Sequence, residues 1–195
     1  QRFTQDIKLP SQVVLEKQTL SPIAAAANSI LSAHAGSTNG APVEVVSFLA
    51  QPDSPRNVSV TPGGTTADVK ASSVLVYGQD YFGKEMFEVI SIADNQATAS
   101  VGSLAFYKIS KIVLPSEEGS FAATWSVGLG SKLGMKRCLE KAGHLAFAVF
   151  NGVYESTRPT VVVGASVASN VATLNSSLNG SEVDMFFVQN FKCLP

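Results

Sequence analysis

The chain has 195 residues, a formal net charge of −1, 45% hydrophobic residues and 15% charged ones. That balance carries no electrostatic footprint for nucleic acid or an anionic membrane, and no run approaches the roughly 20 apolar residues of a membrane-spanning helix. The charged fraction lies under the roughly 25% usual in soluble domains, a composition that suits a surface held against partners, since a free monomer ordinarily keeps more charge.

The N-terminus, Gln1-Arg2-Phe3-Thr4-Gln5-Asp6, has no apolar h-region of a signal peptide. Residues 1 to 20 mix polar and β-branched residues without a period and read as an extended arm. Residues 21 to 35 (SPIAAAANSILSAHA) predict a short Ala-rich helix. Ser21 caps it, Pro22 suits the first helical position, the alanines favour helix and Gly36 stands at the C-terminal stop. The alternative is an Ala-rich coil laid along a partner. Residues 1–42 thus form an arm with a short helix, ahead of a β-domain over 43–195.

That domain begins with an apolar run over 43 to 49 and a Pro-punctuated turn over 51 to 55. The stretch from 55 to 115 then dominates. It holds the alternating run 56–61, a Pro62-Gly63-Gly64 turn, the run 74–78, a polar tip at 79–83, a return run 84–92, and two further runs, 105–109 and 112–114. Short β-rich runs separated by Gly, Pro, Asn and Asp at intervals of about eight to twelve residues mark an antiparallel sandwich or barrel. Tyr81 and Phe82 occupy the exposed tip, where they either contact a partner or fold back on the sheet edge.

Further on, 122–127 reads as a strand carrying the single Trp, Trp125, as a core residue. Gly128, Gly130 and Gly134 read as a turn that uses positive φ. Residues 144–150 and 153–155 flank Asn151-Gly152, the strongest hairpin signal in the chain. Strands over 159–167, 171–174 and 183–191 complete an antiparallel β-sandwich of jelly-roll type. Cys138 and Cys193 lack metal-ligand spacing and read as two free thiols in preference to a disulfide.

Chemistry-bearing patterns are sparse. The glycine run 128–134 fits neither the dinucleotide nor the Walker spacing. His34 and His144 read as surface or hydrogen-bonded core residues, without a nucleophile elbow to serve. Glu85 and Glu88 differ by an odd number of residues, which puts them on opposite faces of a strand. Lys132, Lys136, Arg137 and Lys141 form a mildly basic patch, read as a solvated face or a dock for an acidic neighbour. Asn57, Asn175 and Asn179 sit in N-glycosylation patterns. We expect no enzyme, no cofactor and no metal.

One pattern is more specific. Gln51-Pro52-Asp53-x-Pro55-Arg56-Asn57-x-x-Val60-Thr61-Pro62-Gly63-Gly64 is followed by Val74-x-Val76-x-Gly78-x-Asp80-x-x-Gly83-Lys84-x-x-x-Glu88. Then come Ala105-Phe106-x-x-Ile109-x-x-Ile112-x-Leu114-Pro115, Trp125-x-Val127-Gly128-x-Gly130-x-Lys132-Leu133-Gly134 and Leu178-Asn179-Gly180-Ser181. From Gln51 to the C-terminus this order resembles β-rich structural proteins of tailed bacteriophages encoded near the major capsid protein, which serve as head decoration or cement proteins. The resemblance implies a virion protein on the capsid exterior, made in the bacterial cytoplasm, with the major capsid protein and further copies of itself on a symmetry axis as partners. Phe3, Ile7, Leu9, Val13, Val14 and Leu15 would then anchor the arm on the capsid, with Tyr81 and Phe82 as a second contact. An arm of that kind implies that removing residues 1 to 20 leaves a folded domain. Alternatives are a tail-tube or head–tail connector subunit, and a carbohydrate-binding β-sandwich at the host surface.

Overall fold

The computed structural model describes residues 15–37, 40–116 and 122–188. It is all-β. The strands are β1 (Leu15–Leu20), β2 (Ala26–Ala35), β3 (Val43–Val45), β4 (Arg56–Gly63), β5 (Ser72–Gln79), β6 (Glu85–Ile92), β7 (Ser100–Val101), β8 (Lys108–Leu114), β9 (Thr124–Gly134), β10 (Leu145–Phe150), β11 (Val153–Tyr154), β12 (Thr160–Val162), β13 (Val171–Thr173) and β14 (Val183–Val188). They pair antiparallel in three sheets. One is ordered β3-β8-β5-β6, a second β12-β13-β9-β4-β7 with β2 also on β9, and the third β1-β14-β10-β11.

Period-2 alternation decides which side chains point inward. In β5, Val74 and Val76 are fully buried while Leu75 and Tyr77 face outward. These inner faces build a first apolar cluster between the β3-β8-β5-β6 sheet and the strands β2, β4 and β9, with Ile30, Val58, Val60, Phe106, Ile112 and Trp125 at its centre. A second cluster gathers Leu133, Met135, Leu145, Val183, Met185 and Phe187 beneath the β1-β14-β10-β11 sheet.

Strand β9 serves both clusters. Trp125, Val127 and Leu129 enter the first and Leu133 the second. Between them the register against β4 shifts, since Arg56 faces Leu133 while Val58 faces Leu129. Such a bulge leaves ladder groups unpaired, and two side chains of β4 take them. Arg56 Nε donates to Gly130 O at 3.0 Å, and Asn57 Oδ1 accepts from Lys132 N at 2.9 Å. Arg56 and Asn57 are both completely buried. Arg56 Nη2 donates to the same Gly130 carbonyl, and Nη1 reaches Ile23 O at 2.9 Å and the Asp53 carboxylate at 3.1 Å.

The glycines of 128–134 therefore lie inside a strand. What they supply is room, not a turn: a Cβ on Gly128 would run into the backbone of Ala26 and Ala27, and one on Gly130 into the Asn57 amide. Pro62 likewise belongs to β4, facing Trp125, and the chain turns only at Gly64, with φ +87.

The expected helix over 21 to 35 is absent. Residues 26–35 form β2, which pairs with β9 through two register shifts, and Ala33 adopts φ 43 within the second. Alanine's helix propensity is worth only tenths of a kcal/mol per residue. It is overridden here by burial of Ile30 and Leu31 and by the small side chains that let β2 lie flush on Gly128. The arm reading is corrected for residues 15–20, which are edge strand β1, paired in register from Leu15↔Val188 to Leu20↔Val183. Gln18 is buried and spans Gly134 O (3.1 Å) and Lys136 N (2.8 Å). A deletion through residue 20 would thus strip a strand from its sheet, and residues 1–14 lie outside the described residues.

Cys138 corrects the free-thiol reading: it is fully buried and disulfide-bonded, and the chain's other cysteine, Cys193, lies outside the described residues. The Asn151-Gly152 hairpin stands as read, with φ 50 and 75 at its two central residues. Strand 43–49 shortens to Val43–Val45 and 159–167 to Thr160–Val162, while 105–109 and 112–114 merge into Lys108–Leu114.

Two predictions follow from these contacts. Replacing Arg56 by Ala strands the Gly130 and Ile23 carbonyls and takes the counter-charge from the Asp53 carboxylate, and should lower stability by about 3–5 kcal/mol in urea titration. Lys17→Ala, which removes a surface pair to Asp184, should cost under about 1 kcal/mol. The second concerns pH. Partial burial raises the Glu16 pKa, but hydrogen bonds and charges from Lys136 and Arg137 outweigh it and hold the carboxyl below its ordinary 4.5. A hydrogen bond from Thr19 and the Lys17 charge, against partial burial, hold Asp184 below its ordinary 3.8. Both folded values are depressed, so the stability they contribute is complete above the ordinary values and is lost as pH falls through the folded ones. Amide protection of residues 15–20 should therefore fall before that of β5 on acidification from about pH 5 to 3. Simultaneous loss in both strands would contradict it.

Candidate functional site

The outward face of the β3-β8-β5-β6 sheet is built by the same alternation that fills the core. The register sets Leu75 opposite Val113 and Val89, and Tyr77 opposite Lys111 and Phe87. Two rows result: Val113–Leu75–Val89, and beside it Lys111–Tyr77–Phe87. Phe87 and Val89 are more than half exposed. Tyr77 and Phe87 stack with centroids 5.7 Å apart, and Lys111 Nζ lies 4.9 Å from the Tyr77 centroid and 2.8 Å from Glu44 Oε1. The Glu44 hydrogen bond raises the Lys111 pKa against a smaller desolvation effect, and the two opposite charges stand paired at the rim of this face.

The tip at Tyr81 and Phe82 adjoins this face. Asp80 is buried, and its Oδ1 accepts from Phe82 N (2.9 Å) and Lys84 N (3.0 Å). Asp80 N also donates to Lys84 O at 3.0 Å, and Gly83 takes φ +80. This internal brace holds both aromatics outward. Tyr81 meets Phe82 edge-on at 5.4 Å and Tyr107 at 5.8 Å, and all three remain exposed. The tip neither folds back entirely nor stands alone; Tyr107, just before β8, packs against it.

Of the expected arm anchors, Phe3, Ile7, Leu9, Val13 and Val14 lie outside the described residues. Leu15 is exposed at the start of β1, on a different sheet from Tyr81 and Phe82. Glu85 and Glu88 lie on opposite faces: Glu85 points out to Gln79, whereas Glu88 Oε1 accepts from Ser103 N at 2.6 Å. The basic patch finds its acidic neighbour within the chain. Lys136 and Arg137 both bind Glu16, at 2.9 and 3.2 Å, and Lys132 caps Gly102 O. His34 on β2 and His144 beside β10 are both half-buried. Full burial of Asn57 removes it as a glycosylation acceptor. Among the described residues, no group of three or more His, Cys, Asp and Glu is placed to hold a metal ion.

Sequence reading passed over two features. Phe87 and Val89 were visible as apolar residues at odd positions of a strand whose even positions are also apolar. Such a strand is apolar on both faces. The other is a cleft of about 290 Å³ at the β10–β11 hairpin, lined by Phe150, Asn151, Tyr154, Glu155, Asn175 and Ser176. Glu155 is buried, with Oε2 accepting from Asn175 N (2.9 Å) and Ser176 N (3.3 Å). Its donors come from a loop distant in sequence, so no local signal marked it.

No family model, curated protein or solved structure matches this chain.

The tip's brace separates structural from surface residues. Asp80→Ala leaves two backbone amides without their acceptor and should cost about 1–2 kcal/mol. Tyr81→Ala with Phe82→Ala should stay within about 0.5 kcal/mol of the parent for each exposed site. Chemical denaturation of the three proteins decides between them, and equal losses would refute the division.

Proposed function

We propose that the protein is a non-enzymatic virion structural protein that binds the outside of a tailed-phage capsid lattice and cements neighbouring major capsid subunits. The observation that supports this best is the outward face of β8, β5 and β6. Leu75, Tyr77, Phe87, Val89 and Val113 form its apolar centre, and Lys111, Glu44, Lys108 and Glu85 stand at its rim. Exposed apolar centres inside a polar rim are the anatomy of protein interfaces, and contiguous apolar patches on free monomers are small or functional. The motif order from Gln51 onward adds the resemblance to phage decoration proteins.

In this reading the sheet face and the tip at Tyr81 and Phe82 dock on the major capsid protein. Residues 1–14, with Phe3, Ile7, Leu9, Val13 and Val14, reach a neighbouring subunit, and Leu15 marks where that segment enters the fold. Two modest contacts on one lattice bind far more tightly than either alone. Copies gathered on a symmetry axis complete the assembly.

Mixing the protein with capsids that lack it, followed by pelleting, tests this. Co-sedimentation should saturate at a fixed ratio to the major capsid protein. Phe87→Ser combined with Val89→Ser should weaken it at least about tenfold, on the order of 1.4 kcal/mol or more, with an unchanged melting temperature. Removing residues 1–14 should also weaken it while leaving β1 in place. Absence of binding, with rings or tail attachment in its stead, would move the protein to the tail or connector.

A further inference from the structure

From the geometry at the β10–β11 hairpin we infer a second binding site, distinct from the aromatic sheet face: the Glu155 cleft takes an organic cation, the guanidinium or ammonium group of a basic side chain. A carboxylate largely withdrawn from water is favoured by a counter-charge beside the donors it already has. Glu155 is 6% exposed, and only Oε2 is engaged, by the amides of Asn175 and Ser176. Among the described residues no Lys, Arg or His forms an ion pair with it. The nearby Arg158 is turned elsewhere, its Nη2 donating to Gly143 O (2.8 Å) and Leu145 O (2.6 Å).

The cleft supplies what a cation lacks in bulk solvent. Its volume, about 290 Å³, is ample for the end of an Arg or Lys side chain. Tyr154 stands on its wall and is 61% exposed, offering an aromatic face of the kind cations prefer. Its one formal charge among the lining residues is negative, and the other polar groups there are neutral amides and hydroxyls. The backbone amides hold the carboxylate in place beforehand, so little ordering remains to be done on binding. A neutral sugar would leave the charge uncompensated, which is why the cation is the ligand class favoured.

The test is an NMR titration of the full chain with agmatine, a guanidinium joined by a short alkyl chain to a primary ammonium, run beside methyl α-glucoside. Agmatine should give saturating shifts confined to residues 150–156 and 175–176, with a Kd on the order of millimolar, weakened by added salt. Glu155→Gln keeps an oxygen for the Asn175 and Ser176 amides but removes the charge, and should weaken agmatine at least about tenfold. Tyr154→Ala, an exposed position that leaves the fold intact, should weaken it about threefold. Agmatine shifts that do not saturate, or that Glu155→Gln leaves unchanged, would overturn the assignment. So would saturating shifts from the glucoside in place of agmatine. Capsid binding through the sheet face is a separate surface, and its success or failure in pelleting leaves this outcome untouched.

Discussion

The fold depends on how one buried cation settles a bulge. Strand β9 has to feed two apolar clusters, and it changes register at Gly130–Lys132 to do so. An unfilled bulge in the interior would leave a carbonyl and an amide without partners, each costing about 1–3 kcal/mol. Arg56 takes the Gly130 carbonyl, and Asn57 takes the Lys132 amide. Because the Arg56 guanidinium has donors to spare, it also ties in Ile23 and Asp53, and so fixes the segment that leads into β2. One side chain thereby sets the position of three stretches far apart in sequence. Arg suits the place because its planar fork stays charged and can serve several acceptors at once.

With the inner faces committed to the two clusters, what remains for recognition is the opposite set of positions. In the middle of β5 and β6 these positions are apolar too. A strand buried on one side needs only alternate apolar residues, so Leu75, Tyr77, Phe87 and Val89 are not required by the core that Val74, Val76 and Ile90 already fill. In the proposed function they form the docking face. The tip follows the same logic: Asp80 uses its carboxylate to brace the turn, which frees Tyr81 and Phe82 from any structural duty.

The sequence carried the strand positions well where alternation was clean, as in 56–61, 74–78 and 84–92, and where turn chemistry was specific, as at Asn151-Gly152. It misled where local preference and tertiary demand conflict. The alanines of β2 are small because they pass over Gly128, yet smallness and helix propensity look alike in a linear string. The glycines of β9 read as a turn because their neighbours, Ala26 and Asn57, are distant in sequence. Edge strand β1 has no period of its own, since its register is imposed by β14 and by the Glu16 and Gln18 contacts. Of the proposed contact residues, Tyr81 and Phe82 were legible as a turn with aromatics. Phe87, Val89 and Tyr107 become their companions only once the sheet is assembled.

Three carboxylates are spent on the chain's own backbone. Asp80, Glu88 and Glu155 each accept hydrogen bonds from consecutive or nearby backbone amides. This ties the loops that carry those amides to the strands behind them. In the first two the carboxylate closes a turn or ties β6 to the loop after β7, and the neighbouring space is filled by the chain itself. Glu155 uses the same device in a different setting, with one oxygen engaged and a cleft in front of it. The device that elsewhere fixes a loop here leaves a negative charge, rigidly held and half satisfied, beside an exposed aromatic ring. Structural economy accounts for the first two carboxylates. For the third it accounts for only one of its oxygens, and the unspent half is what gives the hairpin its capacity to bind a cation.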